Sequence, residues 1–439
     1  MLAAPPALSR TRIPLALASL GFAVYAIWSV CLHRVYLATG YDLGIFEQAV
    51  RSYTHGRWPV ADLKGPGFPL LGDHFHPVLL VLAPLYALHP APETLLIAQA
   101  ALLALSAVPV TRCALSTLGT KRGTLAGAGY LFSSGLLNAV TFDFHEICFA
   151  VPLVAFSAER LLRREWGAAV AFAAPLVLVK EDLPLTLAAV GAYVVWQGQR
   201  RWGWAVAVAG MATTVVLVVI VLPALNPAGH YAFAGRAAAL QPLDGLGMKS
   251  ATLALLFVPT AFAGLRSPLS ILLVPTLAWR FLSSYPNYWG PGYHYNAVLM
   301  PIAFLAAVDG LRRTSGRIRS LSTAGAALTS LAVIAALLPG PPPAPSERAA
   351  LQAALARIPD GATVAAGSRL APHLTRRCRV LFFPEQPDGT TEPDWVITSK
   401  PLVGWPSPVP AQQRLLADLV EHGYTPVIDN GTVLLLRRR

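Results

Sequence analysis

The chain has 439 residues, of which 55% are hydrophobic and 13% charged, with a mean hydropathy of +0.53; these values exclude an ordinary soluble protein and leave a polytopic membrane protein. The net charge of +12 would suit a nucleic-acid ligand, but Lys and Arg fall in short clusters between apolar runs, as orientation signals do, so nucleic acid is not expected as a partner. Four cysteines, Cys31, Cys113, Cys148 and Cys378, show no metal-ligand spacing and no disulfide framework.

The first apolar run, Ile13 to Leu32, follows Arg10 and Arg12 and reads as an uncleaved anchor. Placing it and the basic clusters at Arg112/Lys121/Arg122, Arg160/Arg163/Arg164, Arg200/Arg201, Arg266 and Arg312/Arg313/Arg317/Arg319 on the inside gives about eleven transmembrane helices. They fall near 13–33, 93–112, 123–140, 147–162, 166–180, 183–198, 203–225, 249–265, 267–283, 294–311 and 320–338. The amino terminus is then cytoplasmic, and residues 1–338 form a membrane domain whose first outer loop covers 34–92. Within that loop Val78 to Leu88 is apolar but too short to span, and is expected to lie at or dip into the outer interface. PGPPPAPS at 339–346 is a stiff, extended linker. Residues 347–439 read as a small extracytoplasmic α/β domain: a helix Glu347 to Arg357, strands at Thr363–Ala366, Val380–Phe383 and Trp395–Thr398, a helix Ala411 to Glu421, and a last strand Val433–Leu436. It has no glycine-rich phosphate loop.

The unusual polar motifs all fall on the outer side of this topology. The first outer loop holds Asp42, Glu47, Asp73, His74 and His76; FDFHE brings Asp143, His145 and Glu146; KED brings Lys180, Glu181 and Asp182. Titratable groups at membrane breaks are costly unless they face water, a partner or a substrate, which makes them candidates for chemistry. Asp42 can act as a general base or hold a cation, or it can cap the helix that follows. Asp42 and Glu47 are five apart, do not share a helix face well and are expected to have different jobs. His74 and His76, beside Asp73, make a possible carboxylate-histidine pair or metal site, or are interfacial histidines bonded to headgroups or backbone. Asp143 and Glu146 can share one helix face. Lys180 can pair with its neighbouring acids or bind a phosphate; Arg34, Arg236 and Arg280 are the other outer cations. The run Tyr285, Tyr288, Trp289, Tyr293, His294 and Tyr295 is an interfacial belt or a platform for a sugar or polyprenyl chain.

YDLGIFEQAV, GDHFHP, FDFHEICFAVPL and LVLVKEDLPL, with IPDGATVAAGSRLAPHL in the tail, resemble the bacterial membrane proteins grouped as domain of unknown function 2079, over nearly the whole chain. More distantly, the layout is similar to the GT-C superfamily of glycosyltransferases, which use polyprenyl-phosphate-linked sugars outside the cytoplasmic membrane. In that superfamily an acid in the first outer loop is the catalytic base or a metal-binding group, and a second acid often follows the third span. The matching positions here are Asp42 and Asp143. The sequence departs from the commonest pattern, a pair of adjacent acids in the first loop, by a lone Asp42 followed by LGIFE.

The resemblance implies a GT-C-like, α-helical enzyme of the bacterial cytoplasmic membrane that moves a sugar from a polyprenyl-phosphate donor to an extracytoplasmic glycan, lipid or protein acceptor. Asp42 and Asp143 would be catalytic. Glu47, His74, His76, His145, Glu146, Lys180, Glu181, Asp182, Arg280, Tyr288 and His294 would bind substrate, with Lys180 or Arg280 neutralising the leaving phosphate. A divalent metal ion is the one cofactor the side chains suggest, with Asp42, His74, His76 and Asp143 as its candidates. The competing reading is a non-catalytic transporter or lipid- or glycan-handling protein. Transporters place coupling residues near the midplane on broken helices, often in repeated halves; here the charged motifs gather at outer ends and no internal repeat is found.

Overall fold

The computed structural model describes residues 7–235, 242–314, 316–338, 340–385 and 391–439. Arg236, one of the candidate cations, and Pro339, the first residue of the linker, lie outside the described residues. The chain divides into two compact units. The first comprises Met1–Trp28, Leu71–Val78 and Ala98–Leu338, and the second Ser29–Leu70, Leu79–Ile97 and Pro339–Arg439.

The first unit is helical because its sequence is a series of apolar runs in which intrahelical bonds alone can satisfy the backbone. Among the described residues, Thr11–Arg34, Pro92–Leu118, Thr120–Phe142 and Arg200–Leu225 are long and apolar enough to cross a membrane, and seven further apolar helices have 10–17 residues. The helices Pro184–Trp196 and Arg200–Val216 meet along a small-residue seam. A Cβ on Gly191 would lie 2.4 Å from Ala207 N, and one on Gly210 2.5 Å from Pro184 O, so backbones approach where side chains could not. The other side of Arg200–Val216 exposes Trp202, Trp204, Val208 and Met211, an apolar surface suited to lipid. The run expected at 249–265 stops short: its apolar helix covers Leu246–Thr260, and the chain breaks at Ala261 and Phe262, both at positive φ (49° and 58°). Elsewhere in this unit Glu159 is fully buried and takes charge-assisted bonds from Arg112 (3.0 Å) and Arg163 (2.8 Å).

The second unit is built on a five-stranded sheet. Strands β1 (Thr363–Ala366), β2 (Arg379–Phe382), β3 (Trp395–Ser399), β4 (Tyr424–Asp429) and β5 (Val433–Arg438) run in the order β2-β1-β3-β5-β4. The β1 pairings are parallel and the β5 pairings antiparallel. Helices Pro345–Ala356 and Val409–Glu421 flank it, and Ala365, Leu381, Val396, Leu419, Tyr424 and Leu436 pack as its core. The sequence reading places β1, β2, β3 and β5 to within two residues but omits β4, where Pro426 and a register shift at Pro426/Ile428 disguise an edge strand.

The same unit contains helix Tyr41–Thr54, whose residues Leu43 to Val50 are all buried. Its amino-terminal cap is Gly40, in the left-handed conformation at φ 84° with no side-chain cap bond. Gly40, not Asp42, is thus the N-cap residue, and Asp42 sits inside the first turn, where a carboxylate complements the helix dipole. The run Val78 to Leu88 is helical as a 3-10 segment Pro77–Leu82 continued by Ala83–Leu88. One stripe, Leu79, Leu82, Ala83 and Tyr86, is buried, while Leu80, Val81, Leu85 and Leu88 are exposed.

Candidate functional site

Three breaks between apolar helices meet in the first unit. The first, Gly72 to Pro77, must pass close to another backbone: a Cβ on Gly72 would lie 2.4 Å from Leu225 O, and Asn226 Nδ2 donates to Gly72 O at 2.9 Å. The second, Asp143 to His145, separates helix Ser134–Phe142 from the 3-10 turn Glu146–Phe149. Helix ends leave orphan carbonyls on one side and orphan N–H groups on the other. A single buried amide serves both: Gln99 Nε2 donates to Asp143 O (2.5 Å) and Ala139 O (3.2 Å), and Gln99 Oε1 accepts from His145 N (2.9 Å). The third break, Lys180 to Asp182, ends at helix Pro184–Trp196, whose first residue is a proline that needs no N–H partner.

Two carboxylate-imidazole pairs result. Glu181 Oε1 lies 2.6 Å from His74 Nδ1 and accepts from Tyr231 OH at 3.1 Å, while Glu181 Oε2 accepts from Phe75 N at 3.2 Å. Phe233 stacks on the His74 ring at 4.5 Å. Glu146 lies between two partners, with Lys180 Nζ 3.0 Å from Oε1 and His145 Nδ1 2.6 Å from Oε2. The His145 ring in turn stacks on His294 at 3.4 Å. Burial would raise both carboxyls, but His74 and Lys180 hold Glu181 at about 2, and His145 with Lys180 keeps Glu146 well below the usual carboxylate range. Asp182 goes the other way: burial lifts it to about 6 against the pull of Lys180. Burial also lowers His76 to about 4. The Oδ1 atom of Asp182 and both ring nitrogens of His294 are buried without a hydrogen-bond partner.

Residues 33–435 match the family described as predicted membrane protein, domain of unknown function 2079. The chain belongs to this family. No curated protein sequence matches it. Among solved structures, this family member is similar to ArnT from Cupriavidus metallidurans bound to undecaprenyl phosphate, with a TM-score of 0.57 and 12% identity, covering 94% of this chain and 97% of that one. It is also similar to ArnT in the apo state, at a TM-score of 0.50 and 14% identity, covering 95% and 98%. The domain of unknown function 2079 thus has, in this member, the ArnT-like GT-C fold that its layout suggests, in a membrane protein with a small carboxyl-terminal sheet.

This member brings His74, His145, Glu146, Lys180, Glu181 and His294 into one network, in which His74 and Lys180 are half-buried and the other four buried, with His76 and Asp182 within its electrostatic reach. Asp143 is buried in the same break. Arg280 is fully buried, but its donors go to the aromatic loop: Tyr288 O (2.8 Å), Tyr295 O (3.2 Å), Asn296 Oδ1 (2.7 Å) and Gly290 O (2.9 Å). It shapes that loop, placing Tyr288 edge-on to Trp279, Tyr285 and Tyr295. Asp42 and Glu47 belong to the second unit. Asp42 is half-buried, whereas Glu47 is fully buried, accepting from Tyr86 OH at 2.7 Å and from the Thr375 hydroxyl. Arg34 is exposed and pairs with Glu93. Among the described residues no three His, Cys, Asp or Glu side chains are arranged to hold a metal ion.

Sequence reasoning missed Gln99, Tyr231 and Asn226. Gln99 left a signal, as the lone amide in the apolar run LLIAQAALLAL. A polar group kept inside such a run has work to do with buried backbone.

Proposed function

We propose that the protein is a GT-C-type glycosyltransferase that moves a sugar from a polyprenyl phosphate to an acceptor on the outer face of the bacterial cytoplasmic membrane. The observation that carries this reading is the network of Glu146, His145, Lys180, Glu181 and His74, gathered with buried carboxylates at three helix breaks in a fold similar to that of ArnT, one of whose crystal structures holds undecaprenyl phosphate. Buried charge of this density is expensive, and unpartnered polar atoms at Asp182 and His294 fit a polar ligand that would complete them.

In the reaction, an acceptor hydroxyl oxygen forms a bond to the anomeric carbon of the sugar as the bond from that carbon to the phosphate oxygen breaks. The hydroxyl proton goes to a carboxylate, a role given to Asp42, and the departing group is the polyprenyl phosphate anion. Lys180 would meet that anion, exchanging part of its pairing with Glu146 for the phosphate. Asp143 and Asp182 would take hydroxyls of the sugar, and Tyr288 would lie against its apolar face.

A strain of the native host lacking the protein should accumulate a polyprenyl-phosphate-linked sugar that the parent strain consumes, detected by mass spectrometry of extracted lipids. Wild-type protein should return the lipid to its parental level, while Asp42→Asn and Asp143→Asn should not, although each reaches the membrane at normal abundance. An unchanged polyprenyl-linked sugar pool in the deletion strain would remove the reading.

A further inference from the structure

The face of helix Tyr41–Thr54 that meets the carboxyl-terminal module is a single stripe. Tyr41, Gly44, Gln48 and Arg51 recur at three- and four-residue steps, which a 3.6-residue turn places on one side. Each has a partner in the module. The Tyr41 ring packs on Phe382 at 4.4 Å. Gly44 leaves room for Leu63 and the Pro372 backbone, where its Cβ would be 2.6 Å from Leu63 Cδ1 and 3.8 Å from Pro372 N. Gln48 Nε2 donates to Val380 O at 2.9 Å. Arg51 Nη1 donates to Cys378 O at 3.2 Å and to Thr375 O.

The amino-terminal end of the helix is fixed from the same side. Gly40, at φ 84°, would place a Cβ 2.4 Å from Ser368 O, and Ser368 Oγ donates to Thr39 O at 2.5 Å. Just upstream, His33 and His373 stack at 4.2 Å with their rings within 5° of parallel, and Tyr36 leans on His373 at 4.4 Å. A fourteen-residue helix is marginal alone in water. This one carries Asp42 one residue, or about 100°, round from the Tyr41 stripe.

We propose that the carboxyl-terminal α/β module, through Thr375, the carbonyls of 375–380 and Ser368, is the positioning device for helix Tyr41–Thr54 and hence for Asp42. The catalytic part of this statement rests on the transferase reading above; the positioning part does not. Thr375 is its key residue, because its hydroxyl meets Glu47 and its carbonyl meets Arg51. The clasp has a built-in reporter. Glu47 faces Tyr86, Thr375, Arg51 and Glu93, and burial raises its carboxyl to about 7 against the two hydroxyl bonds and Arg51. A raised carboxyl favours the docked helix when protonated, so the stabilisation is full below about 4.5 and falls away as pH rises through 7.

The test is hydrogen exchange of the amides of residues 45–54 in the full-length protein in detergent, at pH 5.5 and 8 and divided by intrinsic rates. Wild type should exchange on the order of tenfold faster at pH 8 than at pH 5.5. Glu47→Gln should remove that difference. Thr375→Val should speed exchange at both pH values, and Thr375→Ser should restore it. Wild-type exchange in Thr375→Val, or an unchanged pH response in Glu47→Gln, would overturn the proposal. The lipid pool of the deletion strain separates the two ideas. If exchange behaves as stated but no polyprenyl-linked sugar ever accumulates, the clasp stands and the transferase reading falls. If the sugar accumulates and Thr375→Val consumes it at the wild-type rate while its helix is loosened, the positioning role of the module is wrong.

Discussion

Glu181 in the first unit and Glu47 in the second are both buried glutamates, yet their carboxyls stand on opposite sides of the ordinary value, at about 2 and about 7. Burial pushes both upward. The difference is the kind of neighbour: an imidazole and a lysine beside Glu181, two neutral hydroxyls and a more distant arginine beside Glu47. Desolvation sets a common cost, and only partners that gain from the negative charge reverse it. The first unit has concentrated its countercharges at the helix breaks; the second holds a carboxylate that sits near balance.

The sharpest way to break this contrast is to strip the first unit of its cation. Lys180→Met leaves Glu146 buried with one charged partner fewer, a change expected to cost about 3–5 kcal/mol. It should appear as a large drop in unfolding temperature in detergent. Adding Glu146→Gln to Lys180→Met should recover most of the loss; a single variant as stable as wild type would mean that Lys180 does not hold Glu146 in place.

The second effect is a pH dependence of opposite sign in the two regions. Glu47 contributes stability that disappears as pH rises from about 4.5 through 7, worth up to about 3 kcal/mol for a shift of this size. Glu181 contributes stability that is present above about 4.5 and lost as pH falls toward 2. Unfolding temperature against pH should therefore fall on both sides of the mildly acid range. Glu47→Gln should flatten the upper limb and leave the acid limb intact. Loss of both limbs in that variant would show that one shared group, not two, controls the profile.

The smallest effect belongs to an exposed pair. Lys400 and Asp429 are ion-paired in the second unit with side chains 33% and 52% exposed, so water screens them. Lys400→Ala should change stability by less than about 1 kcal/mol at any pH between 5 and 8. A larger loss would mean that partner type alone, without burial, carries the contrast between Glu47 and Glu181.

The helices and the breaks were legible because both follow from local composition: an apolar run must be helical in lipid, and HFH, FDFHE or KED cannot continue one. Four of the five strands were equally local. The pairing of Glu47 with Thr375, across 328 positions, left no local trace, since neither residue is unusual where it stands. Gln99 was visible as an oddity, but its partners at Asp143 and His145 are set by how two helices cross. Arg280 shows the converse, a cation legible as a phosphate ligand whose donors the fold turns onto its own backbone carbonyls.

The second unit is assembled from pieces at both ends of the chain, and that sets an order of events during synthesis. Helix Tyr41–Thr54 leaves the ribosome roughly 290 residues before the module that covers it, an interval of about 15–60 s at ordinary elongation rates. During that time the residues Leu43 to Val50, all buried in the finished protein, can meet Leu63 and Tyr86 of the same loop but lack the cover that the module supplies. The nascent chain must keep this segment from aggregating or being cut until its last hundred residues arrive, so a stop codon anywhere in the module would leave a membrane-inserted chain with an unfinished first loop, open to quality-control proteases.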